Sequence, residues 1–320
     1  RPYYTDSNTL HFAAEIVAET THDCRPAVAL NHSYFYPTSG GQPHDTGVLM
    51  RDGVTAHVVD VIDAEDDAVL HVLDQPLGPG PVVARIDPAR RFDHMQHHTG
   101  QHILSQAFIR VAEAETVGFH LSPQSVTIDL DRAELSAAEI ERAEALANEV
   151  VWSDRPVGVR FATAEEAAAL PLRKIPPARD GLLRLIDIAE FDLTACGGTH
   201  VARSGVVGLI KVVKTERRGA TTRVEFLCGG RALADYSAKQ VVLRDLGAAL
   251  TTGPAELVGS VAKMQAENKD LRVALKAREA ALLALEAEQL LAAAEPLGNA
   301  RLVRQVFTGM YFDYCSQRRF

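Results

Sequence analysis

Short runs of β-branched and aliphatic residues, broken by turn-formers, mark the first part of the chain. Ala27-Val28-Ala29-Leu30, Thr55 to Val61 and Ala68 to Leu73 read as strands. Ser39-Gly40-Gly41, Arg51-Asp52-Gly53 and Gly78-Pro79-Gly80-Pro81 separate them. Such spacing predicts a small barrel or sandwich. The pattern changes near Asp87-Pro88. His94 to Glu113 lacks proline and predicts a long helix, in which Gly100 costs only about 1 kcal/mol relative to Ala. Ser125 to Leu130 alternates like a strand. Ser136 with Glu139, and Thr163 with Glu166, form capping boxes. The first opens a helix to about Val151, and Pro171 stops the second. Val157 to Ala162, Leu182 to Ile188, Val206 to Val213 and Thr222 to Leu227 are further strand candidates. A helix is expected from Gly230 to about Leu250.

From Pro254 to Glu295 the apolar positions step by four and three. Leu257, Met264, Leu271 and Leu285 occupy d, and Val261, Leu275 and Leu282 occupy a. Asn268, at an a position, is the kind of polar residue that sets register. The seam fits either a helix packed on its own chain or a coiled coil that pairs two copies through residues 257–289. After Pro296-Leu297-Gly298 only Leu302 to Phe307 suggests a strand, too little to bury a core.

The fold class expected is therefore α+β. Residues 1–90 would form a small β-barrel-like domain, 91–250 a mixed α+β domain and 251–297 a helical, coiled-coil-like arm. Residues 298–320 would begin a further, truncated domain.

Charge and composition narrow the function classes. The 320 residues carry 33 Lys+Arg against 42 Asp+Glu, a net charge of −9. That argues against bulk, unspecific nucleic-acid binding but leaves room for a local basic face. No apolar run reaches the roughly 20 residues of a membrane span. Arg1-Pro2-Tyr3-Tyr4 carries neither Met nor an apolar signal and reads as a trimmed terminus. Cys24, Cys196, Cys228 and Cys315 are too scattered for a disulfide framework, so a reducing, cytoplasmic compartment is expected.

Two short stretches carry metal-ligand chemistry. In His97-His98-Thr99-Gly100-Gln101-His102, His98 and His102 stand at i and i+4, stacked on one helix face. Two imidazoles so placed can share a zinc ion, but no Glu follows the first His, so a metalloprotease base is missing. His97 would point elsewhere on that helix. In Cys196-Gly197-Gly198-Thr199-His200 a thiol and an imidazole share the same step on a glycine-rich loop. Together His98, His102, Cys196 and His200 make a His₃Cys set suited to Zn²⁺ and unsuited to Mg²⁺ or Ca²⁺. Four protein donors are typical of closed sites, while catalytic zinc more often has three and a water.

These residues resemble the editing domain of alanyl-tRNA synthetases and, more closely, the free-standing alanyl-tRNA editing proteins of the AlaX family, long form. Ser33 to Gly47, with Ser39-Gly40-Gly41-Gln42, is similar to that family's glycine-rich motif. Leu172 to Pro177 and Arg217-Arg218-Gly219 to Phe226 also resemble family segments. The likeness covers about residues 1–250. It implies a zinc-dependent hydrolysis, in trans and without ATP, of Ser or Gly from tRNA(Ala). Ser33 would replace the family's Thr near the substrate hydroxyl. A pocket Gln of the synthetase domain falls near Gly118, with Phe119-His120 taken as its replacement. Gln42, Gln101 and Thr199 are the polar candidates for orienting water or substrate.

The tRNA would need a basic face. Arg203, Lys211, Lys214, Arg217, Arg218 and Arg223 stand against Glu216, and Arg173, Lys174, Arg179 and Arg184 against Asp180. Arg173, Lys174, Lys214, Arg217 and Arg218 are the chosen phosphate contacts. The rival readings are a non-catalytic, zinc-stabilised RNA-binding protein and a coiled-coil scaffold.

Overall fold

The computed structural model describes residues 1–64, 68–174 and 181–304. Arg179, Asp180 and Cys315, and the part of the expected last strand beyond residue 304, lie outside them. The chain divides into two compact units, 1–237 and 238–320.

The first unit begins with a closed six-stranded barrel, built from β1 (His11–His22), β2 (Arg25–Leu30), β3 (Gly47–Arg51), β4 (Val54–Asp63), β5 (Val69–Leu73) and β6 (Gly80–Ile86). Neighbours run in the order β1-β2-β5-β4-β3-β6, and β6 pairs back onto β1. Period-two alternation fills the interior: Phe12, Ala14 and Ile16 from β1 point inward, as do Val82, Ala84 and Ile86 from β6. Closure removes both sheet edges. The sequence suggested three of these strands. In β1 burial alternates from His11 to Ile16, but the adjacent Ala13-Ala14 and Ile16-Val17 blur that alternation in the sequence.

Asp87 then caps α1 (Pro88–Ala112), accepting from the Ala89 and Arg90 amides, with Pro88 in the first turn. This helix is buried on most of its surface. Alongside Ile103, Leu104, Ala107 and Phe108 it buries Arg91, Gln96, His97, His98, Gln101, His102 and Ser105. Polar groups at such depth must be partnered, which makes α1 the place to look for a site. Gly100 sits where a Cβ would come within 2.4 Å of Cys228 Sγ, so only glycine allows this approach.

Two sheets complete the unit. β7 (Thr116–Leu121), β8 (Val126–Leu130), β12 (Ile210–Arg218) and β13 (Thr221–Cys228) form one, in the order β12-β13-β8-β7. With α1 and α2 (Ala137–Trp152) this sheet shares a core that includes Phe108, Ile128, Val150, Val224 and Phe226. The other sheet is β11 (Asp192–Ala195), β10 (Leu183–Ile188) and β9 (Val157–Ala162) in that order. Both capping boxes are present, at Ser136 before α2 and at Thr163 before α3 (Ala164–Ala168). The strand expected from Val206 is corrected. Ser204–Val207 is a 3-10 turn, Gly208 has φ +82°, and β12 starts at Ile210. The Gln96 side chain donates to Val206 O at 2.9 Å and fixes that turn.

α4 (Gly229–Leu250) carries the chain into the second unit. There α5 (Leu257–Ala292) is one continuous helix of 36 residues, followed by the hairpin β14 (Glu295–Leu297) and β15 (Ala300–Leu302). Leu257 at the start of its seam is buried, and the rest is exposed to solvent: Leu271 69%, Leu275 60% and Leu282 59%.

Candidate metal centre

α1 and the loop after β11 bring the four expected ligands together. The donor atoms of His98, His102, Cys196 and His200 all lie within 4.8 Å of one another. Cys196 Sγ stands 3.3 Å from His98 Nε2 and 3.3 Å from His200 Nε2. A tetrahedral zinc site has S–N and N–N edges of about 3.3–3.6 Å, from Zn–S of about 2.3 Å and Zn–N of about 2.0 Å. The residues therefore fit a metal ion of zinc's size and softness. Gly198 makes room for them, since a Cβ there would lie 2.1 Å from His98 Cε1.

Two imidazoles are hydrogen-bonded through their other nitrogen, and the third faces a carboxylate. His98 Nδ1 meets Gln42 Oε1 at 2.8 Å. His200 Nδ1 lies 3.1 Å from the Thr99 hydroxyl, which also accepts from the Val201 amide at 3.2 Å. His102 Nδ1 faces Asp192 Oδ2 at 3.3 Å. Such outer partners select the tautomer that leaves the inner nitrogen free for a metal. The electrostatics agree. Burial alone would push the Cys196 thiol up, but His98, His200 and His102 hold it well below its ordinary value. Burial drives His200 well down despite the attraction of Cys196. At His102 burial is outweighed by Cys196 and Asp192, and its pKa is raised.

The glycine-rich loop reaches this centre through Gln42. Its Nε2 donates to Thr199 Oγ1 at 2.9 Å, and its Oε1 accepts from the Thr199 amide at 3.2 Å. Gln42 thus links His98 to the cysteine loop. Below that loop a fully buried ion pair, Arg91 with Asp45, holds the same segment to α1. Arg91 also donates to Ser7 O and Tyr34 O, and Asp45 accepts from the Tyr36 amide. Phe119 is brought to the centre as well, its ring 5.1 Å from that of His98.

Other expected residues stand elsewhere. Gln101 donates to Ser105 Oγ at 2.8 Å. Ser33 Oγ pairs with His71 Nε2 at 2.7 Å and accepts from the Phe35 amide, inside the barrel. His97 points away from the ligands, as expected: its Nε2 accepts from the Cys228 amide and its Nδ1 faces Asp93. Arg173 is mostly buried and donates to Asp192 Oδ1 at 2.8 Å. Arg217 pairs with Glu134 at 2.6 Å, and Arg218 and Lys214 both face Glu216, while Lys174 is exposed. Thr99 and Asp192 were missed from sequence. Thr99 directly follows a ligand, and the period of β11 puts Asp192 and Thr194 on one side.

Fold and site together define a His₃Cys cluster that could hold a metal ion, alongside a small barrel. Comparison with known proteins gives its kinship. Residues 3–87 match the family model "tRNA synthetases class II (A)", and residues 183–225 match "Threonyl and Alanyl tRNA synthetase second additional domain". The alanine–tRNA ligase of Pyrococcus furiosus is 30% identical over 97% of the chain, which spans 35% of that ligase. The alanyl-tRNA editing protein AlaX-L of Pyrococcus horikoshii is 33% identical over 79% of the chain, covering 63% of its own length. The alanyl-tRNA editing protein Aarsd1-B of Xenopus laevis is 34% identical over 77% of the chain, covering 59% of its own. The chain is thus similar to alanyl-tRNA editing proteins and, over the same region, to the alanine–tRNA ligases, and it spans less than two thirds of the length of each of these relatives. No helix among the described residues is long and apolar enough to cross a membrane.

Proposed function

We propose that the protein hydrolyses the ester linking Ser or Gly to tRNA(Ala), in trans and without ATP, at a zinc site formed by His98, His102, Cys196 and His200. The observation that carries this reading is the convergence of those four donors, with all three outer imidazole nitrogens facing a partner. Zinc held there would supply a Lewis acid that polarises an ester carbonyl or lowers the pKa of a bound water. The chain's own residues set the geometry. The three imidazoles hold the Cys196 thiol well below its ordinary value, which favours the thiolate a metal binds. Gln42, itself held by Thr199, orients His98. Gln101 and Ser33 are assigned supporting roles, Ser33 as the hydroxyl that distinguishes Ser from Ala. An aminoacyl ester is reactive already, so orientation and charge stabilisation suffice.

Residues Lys174, Lys214, Arg217 and Arg218 are proposed to meet tRNA phosphates. α5 is proposed to pair two copies along its exposed seam, with Asn268 opposite Asn268 and Glu267 within reach of Arg272 of a parallel partner helix. A reducing compartment such as the cytoplasm would keep Cys196 available. The test is release of Ser from Ser-tRNA(Ala), with His102→Ala alongside. Tight tRNA binding without release would instead make the protein a zinc-stabilised RNA binder.

A further inference from the structure

Asp192 has no exposed side-chain surface, yet it lies between two charged or ligating groups. Its Oδ1 accepts from Arg173 Nε at 2.8 Å. Its Oδ2 faces His102 Nδ1 at 3.3 Å, and among the described residues neither atom has an aligned hydrogen-bond partner. A buried polar atom left unpaired costs about 1–3 kcal/mol. A small rotation of the ring or carboxylate would pair these two atoms and remove both costs. The other two imidazoles lean on neutral groups, the Gln42 amide and the Thr99 hydroxyl. Among the described residues, Asp192 is the carboxylate that faces a ligand imidazole, and Arg173 holds its other oxygen.

We infer that Arg173 and Asp192 are a positioning pair for the metal centre. Asp192 accepts the Nδ1–H of His102, which fixes that tautomer and leaves Nε2 as the inner donor. Arg173 holds the carboxylate in the orientation this requires. Arg173 therefore acts inside the protein rather than on RNA phosphate, which also accounts for its 10% side-chain exposure. The pair comes from two separate segments, the stretch after α3 and the start of β11, so it also ties those segments to α1.

The inference rests on the metal-binding part of the proposed function, and no tRNA enters its test. Zinc affinity of the full chain is measured by competition with a chromophoric chelator, with circular dichroism confirming the fold. Asp192→Asn is expected to weaken zinc binding about 10–100-fold, the usual size for loss of an outer-shell partner. Arg173→Gln should weaken it in the same direction, and Arg173→Lys should recover part of the loss. A merely structural pair would lower Tm and leave the affinity of the folded protein unchanged. Folded Asp192→Asn with wild-type zinc affinity would overturn the inference. If that variant does not fold, unchanged affinity in Arg173→Gln would overturn it equally. Absence of deacylation with an intact Asp192 effect would defeat the proposed function alone.

Discussion

Inside the barrel, Ser33 and His71 stand at the contact distance of an activated serine and its base. The Val28 carbonyl, 3.2 Å from His71 Nδ1, places the ring proton there, so Ser33 donates to Nε2. Both side chains are buried, which makes the pair a structural clasp as it stands. Ser33→Ala should leave Nε2 unpaired and lower stability by about 1–3 kcal/mol. If Ser33 is also the selector, the variant loses activity on Ser-tRNA(Ala) while retaining its metal. Parallel loss of metal and activity would refute that role. Burial pushes His71 down to about 4, and burial with neighbouring Arg90 pushes His94 to about 3. Unfolded His titrates near 6.5. Between about pH 6.5 and 4 the unfolded chain therefore binds more protons, and stability falls as pH falls. For His71 alone the loss reaches about 3 kcal/mol at the acid end. Denaturant midpoints from pH 7 to 4 should show this slope, flattened in His71→Gln; an unchanged slope in that variant contradicts the assignment.

At the scale of elements, local rules carried far. The two capping boxes, β9 and the loop setting of Cys196 and His200 were legible because each depends on neighbours in sequence. The four donors that come together were legible because their spacing is short within each half. What escaped had long-range causes. Closure of the barrel needs β1, β3 and β6, whose faces are set by strands far away in sequence. Asp192 and Arg173 become an outer shell only when β11 is laid against α1. The 3-10 turn at Ser204–Val207 hides in an apolar run, because Gln96 of α1 rather than local pattern holds it. For α5 the heptad seam is present and exposed. Leu271→Lys with Leu275→Lys should convert a dimer into a monomer in sedimentation velocity and leave zinc content unchanged. A wild-type chain that is monomeric at all concentrations would contradict pairing through this helix.

For the molecule as a whole, the −9 charge and the barrel-borne loop set how tRNA could be held. The basic residues along β12 and β13 are engaged with acids: Arg217 with Glu134, Arg218 with Glu216, Arg223 with Asp129 and Lys211 with Glu144. Phosphates would have to compete for these cations. Binding should thus be weak and steeply salt-dependent. Glu134→Gln, which releases Arg217, should tighten tRNA binding at low salt; weaker binding would argue against this face. The central claim is that the His₃Cys centre performs the hydrolysis. Its most direct test is the rate at which Ser leaves Ser-tRNA(Ala), compared with Ala leaving Ala-tRNA(Ala). The account predicts rapid release of Ser by the zinc-loaded chain, little release of Ala, and a return to the uncatalysed rate in His102→Ala. Undiminished release by His102→Ala, or none by the zinc-loaded chain, would contradict it.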